Sequence, residues 1–200
     1  IKQTEKKIFT YVIGDIIRSI RGGALMGAFV QCFCLIDYLS AIARLANNNK
    51  QNENYKKFIE QYLSEYDSEK LYAIRCGLVH TYGQSERMKN AKLDGYRFQH
   101  KNPENHRKYK NNIYCLNLSN FVFDIIKAAF QFFQELKQKS DDELYDYKNR
   151  AEGIISVFAS SKISYCENYG SIDPILSCMD AKKINWSILE NEIYKLCLTK

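Results

Sequence analysis

Apolar residues recur at three- and four-residue steps along most of this chain. Ile8, Tyr11, Val12, Ile16 and Ile20 set the first such run. That spacing predicts an amphipathic helix over residues 4–20, stopped by the Gly22-Gly23 pair. From residue 24 to residue 45 apolar positions fill nearly every step, which predicts a second, mostly buried helix. Its polar end, ANNNKQNENY, is rich in Asn, has no period and reads as a loop. A third helix is expected from about residue 54 to residue 66. A fourth opens at Asp67 or Ser68 as N-cap and carries LYAIRCGLVHTYG to a stop at Gly83.

The pattern changes between residues 85 and 112, where the chain is polar and basic. GYRFQH and NIYCLNL alternate apolar and polar positions, so they predict two short strands joined as a β-hairpin by KNPENHRKYKNN, near residues 95–118. Helical spacing then resumes in SNFVFDIIKAAFQFFQELKQ, with Ser119 or Asn120 as cap, and in DDELYDYKNRAEGIISVFA. After a loop through Pro174, INWSILENEIYKLCL predicts a last short helix. The expected fold is all-α, a helical bundle with one small hairpin insertion. Residues 1–200 read as a single domain, with a core over about 4–138 and a helical extension over 141–200.

Composition narrows this picture only a little. A 200-residue chain that is 46% hydrophobic can bury its own core, which excludes disorder as a default. The net charge of +6 suits a polyanionic partner and equally suits plain solubility. Seven cysteines form no CxxC pair and no metal-binding spacing. Their odd number and the lack of a secretory leader favour reduced thiols in a cytosol. The most apolar run, GALMGAFVQCFCLIDYL, is interrupted by Gln31 and Asp37 and reads as a buried helix rather than a bilayer span. No membrane association, cofactor or metal is expected.

Candidate chemistry lies in RCGLVH, where Arg75 precedes His80 by five residues near the end of the fourth helix. On a straight helix that offset rotates by about 140°, so the two side chains do not share a face. They converge only if the helix loosens near His80 or the long arginine reaches around it. Such a pair suits cleavage of an RNA phosphodiester. An imidazole takes or delivers the proton, and a guanidinium offsets the charge on the phosphate oxygens, with no metal needed. The spacing equally suits structural roles: Arg75 capping a helix or pairing with Asp37, and His80 favoured by the dipole at a helix C-terminus.

The surroundings of RCGLVH shift that balance. The segment resembles the HEPN family, whose hallmark is an arginine, four to six intervening residues and a histidine at the end of a core helix. LIDYLSAIARL resembles the family's earlier long helix, FIEQYLSEYDSEKLYAIR the approach to the motif, and LSNFVFDIIKAAFQFF the helix that closes the bundle. The resemblance covers about residues 23–137. It implies a metal-independent endoribonuclease with Arg75 and His80 as the catalytic pair. It also implies a homodimer in which two motif copies face each other, and an intracellular role in a defence or toxin system. The surface around Gly77 and Leu78 is expected to be buried between the copies. The position after the arginine, commonly polar in the family, is Cys76 here, a weak hydrogen-bonding side chain.

Other residues support this reading. Asp37, inside an apolar helix, is costly unless paired, so it is expected to meet Arg75, Arg44 or a backbone donor. Tyr82 is a candidate for stacking on a base. In the basic insertion Arg97, Lys101, Arg107 and Lys108, interleaved with Tyr96, Phe98, Tyr109 and Tyr114, form a candidate RNA-binding surface. A solvated charged loop serves as well, and His100 and His106 read as surface residues in it. The expected function is cleavage of single-stranded or looped RNA by a cytoplasmic ribonuclease. The alternative is a catalytically silent helical module that binds nucleic acid or a protein partner.

Overall fold

The computed structural model describes residues 2–46, 50–81, 85–160, 175 and 184–199, of which Thr81 and residues 152–160 by backbone alone. The first helical stretch is α1 (Lys2–Lys7), a π-helical turn Ile8–Ile13, and α2 (Gly14–Arg21). The wide turn loosens the backbone ladder, and the Arg18 guanidinium donates to the Thr10 and Tyr11 carbonyls at 3.4 and 3.5 Å. Gly14 makes room for it, since a Cβ there would sit 2.9 Å from Arg18 Nη2. The Gly22-Gly23 stop is as expected. Gly23 takes φ +79°, and the Gly23 and Ala24 amides donate to Ile20 and Ser19, the double bond of a Schellman motif.

The bundle is built around α3 (Leu25–Ala43), which packs against α2, α4 (Gln51–Tyr62), α5 (Ser68–Thr81), α7 (Leu118–Leu136) and α8 (Asp141–Ser160). By length and composition alone α3 passes the test for a membrane span. Here Phe29, Phe33, Leu35, Ile36 and Leu39 are buried within the chain. The third helix begins earlier than expected, inside the Asn-rich run, and ends at Tyr62 rather than near residue 66. A short α6 (Glu86–Asn90), not anticipated, anchors Met88 in the core. In α7 the residues Leu118, Phe121, Val122, Ile125, Ala129, Phe132, Phe133 and Leu136 form one buried stripe. The last helix, α9 (Trp186–Leu198), packs on α7 and α2. Its Trp186 stands edge-on to Phe123 and Phe130 at 6.1 and 5.4 Å.

The insertion is a mixed three-stranded sheet, not a hairpin of the two expected strands. β1 (Gly95–Gln99) and β3 (Ile113–Asn117) lie where alternation placed them, but they pair in parallel, Gly95 with Ile113 and Gln99 with Asn117. β2 (Tyr109–Lys110) pairs antiparallel with β3 on its other side. The connection through residues 100–112 is long enough to return the chain for parallel pairing. The tight turn is Asn111-Asn112, both at positive φ (50° and 57°), the backbone of a type I′ hairpin. One face of the sheet enters the core. Phe98 stacks on Phe29 at 4.2 Å, and Tyr114 and Leu116 are buried. Phe98 and Tyr114 therefore serve packing and are not free to track a nucleic-acid strand.

His106 is likewise no surface residue, its side chain being 6% exposed. Its Nδ1 accepts the Asn117 amide at 3.0 Å, so its Nε2 carries the proton and donates to Tyr66 Oη at 2.7 Å. Tyr66 in turn donates to Asp124 at 2.6 Å. Burial first, then the Asp124 charge, holds the Tyr66 phenol well above its usual pKa. The N-cap of α7 is Asn117, ahead of the expected Ser119 or Asn120: its Oδ1 accepts from the Ser119 and Asn120 amides, and its Nδ2 donates to the Lys101 carbonyl.

Candidate functional site

Helix α5 is capped by Asp67, whose Oδ1 accepts the Lys70 amide at 3.0 Å. Leu71, Ile74 and Leu78 turn one side of it into the core, and this fixes where Arg75 leaves the helix. Burial works against the Asp67 carboxylate, but its bonds from Lys70 hold its pKa below the usual value.

Arg75 meets Asp37 of α3. Its Nε donates to Asp37 Oδ2 at 2.6 Å, and its Nη2 lies 2.5 Å from the same oxygen. The remaining arm, Nη1, lies 2.9 Å from His80 Nε2. The backbone stays helical through Thr81, so the convergence comes from the reach of the arginine and not from a loosened helix. Five residues separate the pair by about 7.5 Å along the axis, a distance a guanidinium can cross. Arg75 and Asp37 side chains are only 17% and 19% exposed, whereas His80 is exposed.

An arginine only donates, so His80 Nε2 must be the acceptor in this bond and the imidazole proton resides on Nδ1. In this geometry the Nε2 lone pair of His80 is occupied by Arg75. Burial alone would lower the Arg75 pKa, but the adjacent Asp37 carboxylate and its hydrogen bond raise it above the usual value. For Asp37 the balance is opposite: burial outweighs the attraction of Arg75 and raises its carboxyl. The geometry agrees, since Asp37 Oδ1 is buried and has no hydrogen-bond partner among the described residues. The pair thus secures the arginine more firmly than it solvates the acid.

That shift has a measurable sign. A carboxyl with a raised folded pKa binds its proton more tightly in the fold than in the unfolded chain, so its contribution to stability grows as pH falls. The gain accrues from the raised value down through the ordinary value of 3.8, and is absent above that window. Asp37→Asn cannot titrate. The melting temperature of the wild type relative to Asp37→Asn is expected to rise as pH is lowered from about 7 to about 4. A difference that shrinks on acidification would assign Asp37 a depressed pKa instead.

Around this centre Cys76 is buried, with its thiol 4.0 Å from Arg75 Nη1. Two further neighbours lie here: Cys34, which the sequence presents with Cys32 as a small core residue, and Tyr55. Cys34 is exposed one turn before Asp37, and burial and the Asp37 charge raise its thiol while Arg75 lowers it. Tyr55 of α4 is fully buried, and burial, then the Asp37 charge, keeps its phenol protonated. The i, i+3 spacing of Cys34 and Asp37 was the available signal for the first; Tyr55 had none.

Gly77 and Leu78 are already buried within the chain, so the surface expected to be covered by a second copy is covered by its own core. Tyr82 and Gly83 lie outside the described residues. Of the basic residues, Arg97 is exposed on the outer side of β1, and Lys101 and Lys108 are exposed in the crossover. Arg107 is engaged: its guanidinium lies 5.3 Å over the Tyr66 ring and 3.3 Å from Glu65. The structure thus brings together Asp37, Arg75, Cys76 and His80. Compared with protein-family models, curated proteins and solved structures, the chain matches none.

Proposed function

We propose that this chain is a HEPN-type, metal-independent endoribonuclease acting on single-stranded or looped RNA, with Arg75 and His80 as its catalytic pair. The observation that carries this reading is the 2.9 Å contact between Arg75 Nη1 and an exposed His80 Nε2, with Asp37 holding the other side of the guanidinium. A phosphate oxygen competes for Nη1, because a charged acceptor makes the stronger bond. Its arrival releases the Nε2 lone pair, so phosphate binding and base activation are one event.

His80 then takes the proton of the 2′-hydroxyl as that oxygen bonds to phosphorus and the bond to the 5′-oxygen breaks. Arg75 offsets the charge on the non-bridging oxygens, and the departing 5′-oxygen takes up a proton. One imidazole cannot be base and acid at the same moment. A homodimer that brings two motif helices together supplies the second, in a cytoplasmic defence or toxin setting. In this reading Arg97, Lys101 and Lys108, exposed in the insertion, supply the contacts to the RNA backbone.

The test is incubation of the purified chain with end-labelled RNA, with and without EDTA. Products ending in a 2′,3′-cyclic phosphate, formed at the same rate in chelator, are expected. Cleavage that stops in EDTA would sink the proposal. One observation favours the silent RNA-binding module as a second reading: Asp37 already takes two N–H groups of Arg75, and the neighbouring Cys76 offers only a buried thiol. Binding without any cleavage in this assay would select it.

A further inference from the structure

We propose that the cleft between α4, α7 and α8 binds a small organic cation bearing an alkylated or primary ammonium. This cavity of about 420 Å³ shares no residue with the Arg75 and His80 site. Its volume is of the size that small-molecule sites occupy. Its walls are aromatic, formed by Tyr62, Phe132 and Tyr147, and its polar groups include Glu135, Lys139 and Glu143.

Glu135 defines the site. Its Oε2 accepts from Tyr62 Oη at 2.7 Å and from Gln61 at 3.4 Å, and its Oε1 accepts from Gln131 at 3.0 Å. All three donors are neutral, and among the described residues no cation lies within ion-pair distance of this half-buried carboxylate. Burial and the bond to Glu135 both raise the Tyr62 pKa, so Tyr62 stays a donor to Glu135 at the edge of the aromatic cleft.

The cleft already holds one ammonium, its own. Lys139 Nζ sits 3.2 Å from Glu143 Oε1 and 5.8 Å from the centroid of the Tyr147 ring. That is the carboxylate-plus-ring arrangement by which proteins hold ammonium ligands. Glu143 is fixed there by the start of α8, where Ser140 N and Oγ both donate to its Oε2 at 3.0 Å in a capping box. Within the cleft two carboxylates, Glu135 and Glu143, face the single Lys139, while the Arg150 guanidinium covers the Tyr147 ring at 4.4 Å from its centroid. A metal ion is the poorer occupant: among the described residues no group of three His, Cys, Asp or Glu side chains could hold one.

The test uses the full chain, titrated calorimetrically with choline and with spermidine. The control is 3,3-dimethylbutan-1-ol, which has the shape of choline without its charge. At least one of the two cations is expected to bind, about tenfold or more tighter than the alcohol. Choline alone would assign a compact quaternary head, spermidine alone a chain of primary amines. Glu135→Gln keeps an acceptor for Tyr62 and is expected to weaken binding about tenfold. Tyr147→Leu, on the outer helix, is expected to weaken it severalfold. Lys139→Met, which removes the internal competitor, is expected to tighten it. Equal binding of the alcohol and the cations, no binding of either cation, or affinity unchanged in both Glu135→Gln and Tyr147→Leu would overturn the assignment. None of these results bears on RNA cleavage, so this inference and the ribonuclease reading fail separately.

Discussion

Replacing His80 by Ala is expected to slow RNA cleavage by roughly 10²- to 10⁴-fold while leaving RNA affinity nearly unchanged, because it removes proton transfer and keeps the cationic anchor. The structure separates these roles by exposure. His80 lies on the surface, where its loss leaves no buried partner stranded, and Arg75 remains clamped by Asp37 through Nε and Nη2. Arg75→Ala is expected to lose both cleavage and part of the affinity, since it deletes the group that meets the phosphate. It also strands the Asp37 carboxylate, so its melting temperature should fall where that of His80→Ala does not. Initial cleavage rates and fluorescence anisotropy, measured on the same preparations, resolve the two. Cleavage that persists in His80→Ala would remove the imidazole from the chemistry. Two variants that differ from wild type only in melting temperature would return the pair to a structural role.

Phe121→Ala is expected to cost about 3–5 kcal/mol. Phe121 is fully buried on the first turn of α7, where three elements meet. Its ring lies 5.2 Å from Phe33 and 6.2 Å from Phe29 of α3, and 5.7 Å from Tyr66. Phe29 carries Phe98 of the sheet at 4.2 Å, and Tyr66 carries His106 of the crossover. Emptying that position opens a cavity beneath the sheet and the Tyr66 relay together. Domains of this kind are stable by only about 5–15 kcal/mol, so the loss should appear as a large drop in the urea midpoint with the slope preserved. A cost under about 1 kcal/mol would mean that the sheet is not seated on α3 and α7 as described.

The sequence by itself determined the elements whose causes are local. Helical periodicity placed α2, α3, α5, α7 and α9 near their observed ranges, because an amphipathic stripe declares which face will be buried whatever it is buried against. Gly22-Gly23 and Asp67 announced their stop and cap for the same reason: both act within one turn of backbone. Alternation located β1 and β3 as well, but alternation names a face and never a partner. Their parallel pairing was decided by tertiary contacts, with Phe98 on Phe29 and the crossover pinned by Asn117 to His106 and Lys101. The Asn111-Asn112 turn that pairs β2 with β3 was a local signal left unread.

His106 and Arg107 looked like solvated residues of a basic loop because composition carries no information about Tyr66 and Asp124, which lie far away along the chain. The candidate site divides in the same way. Arg75, His80 and Asp37 were legible as residue types at suggestive positions. The Asp37–Arg75 pair was among the contacts expected, but whether the same guanidinium also reaches His80 was open in the sequence, since a five-residue helical offset turns Arg75 and His80 about 140° apart. It took α3, packed beside α5, to bring Asp37 against one edge of the guanidinium and leave the other edge to reach His80.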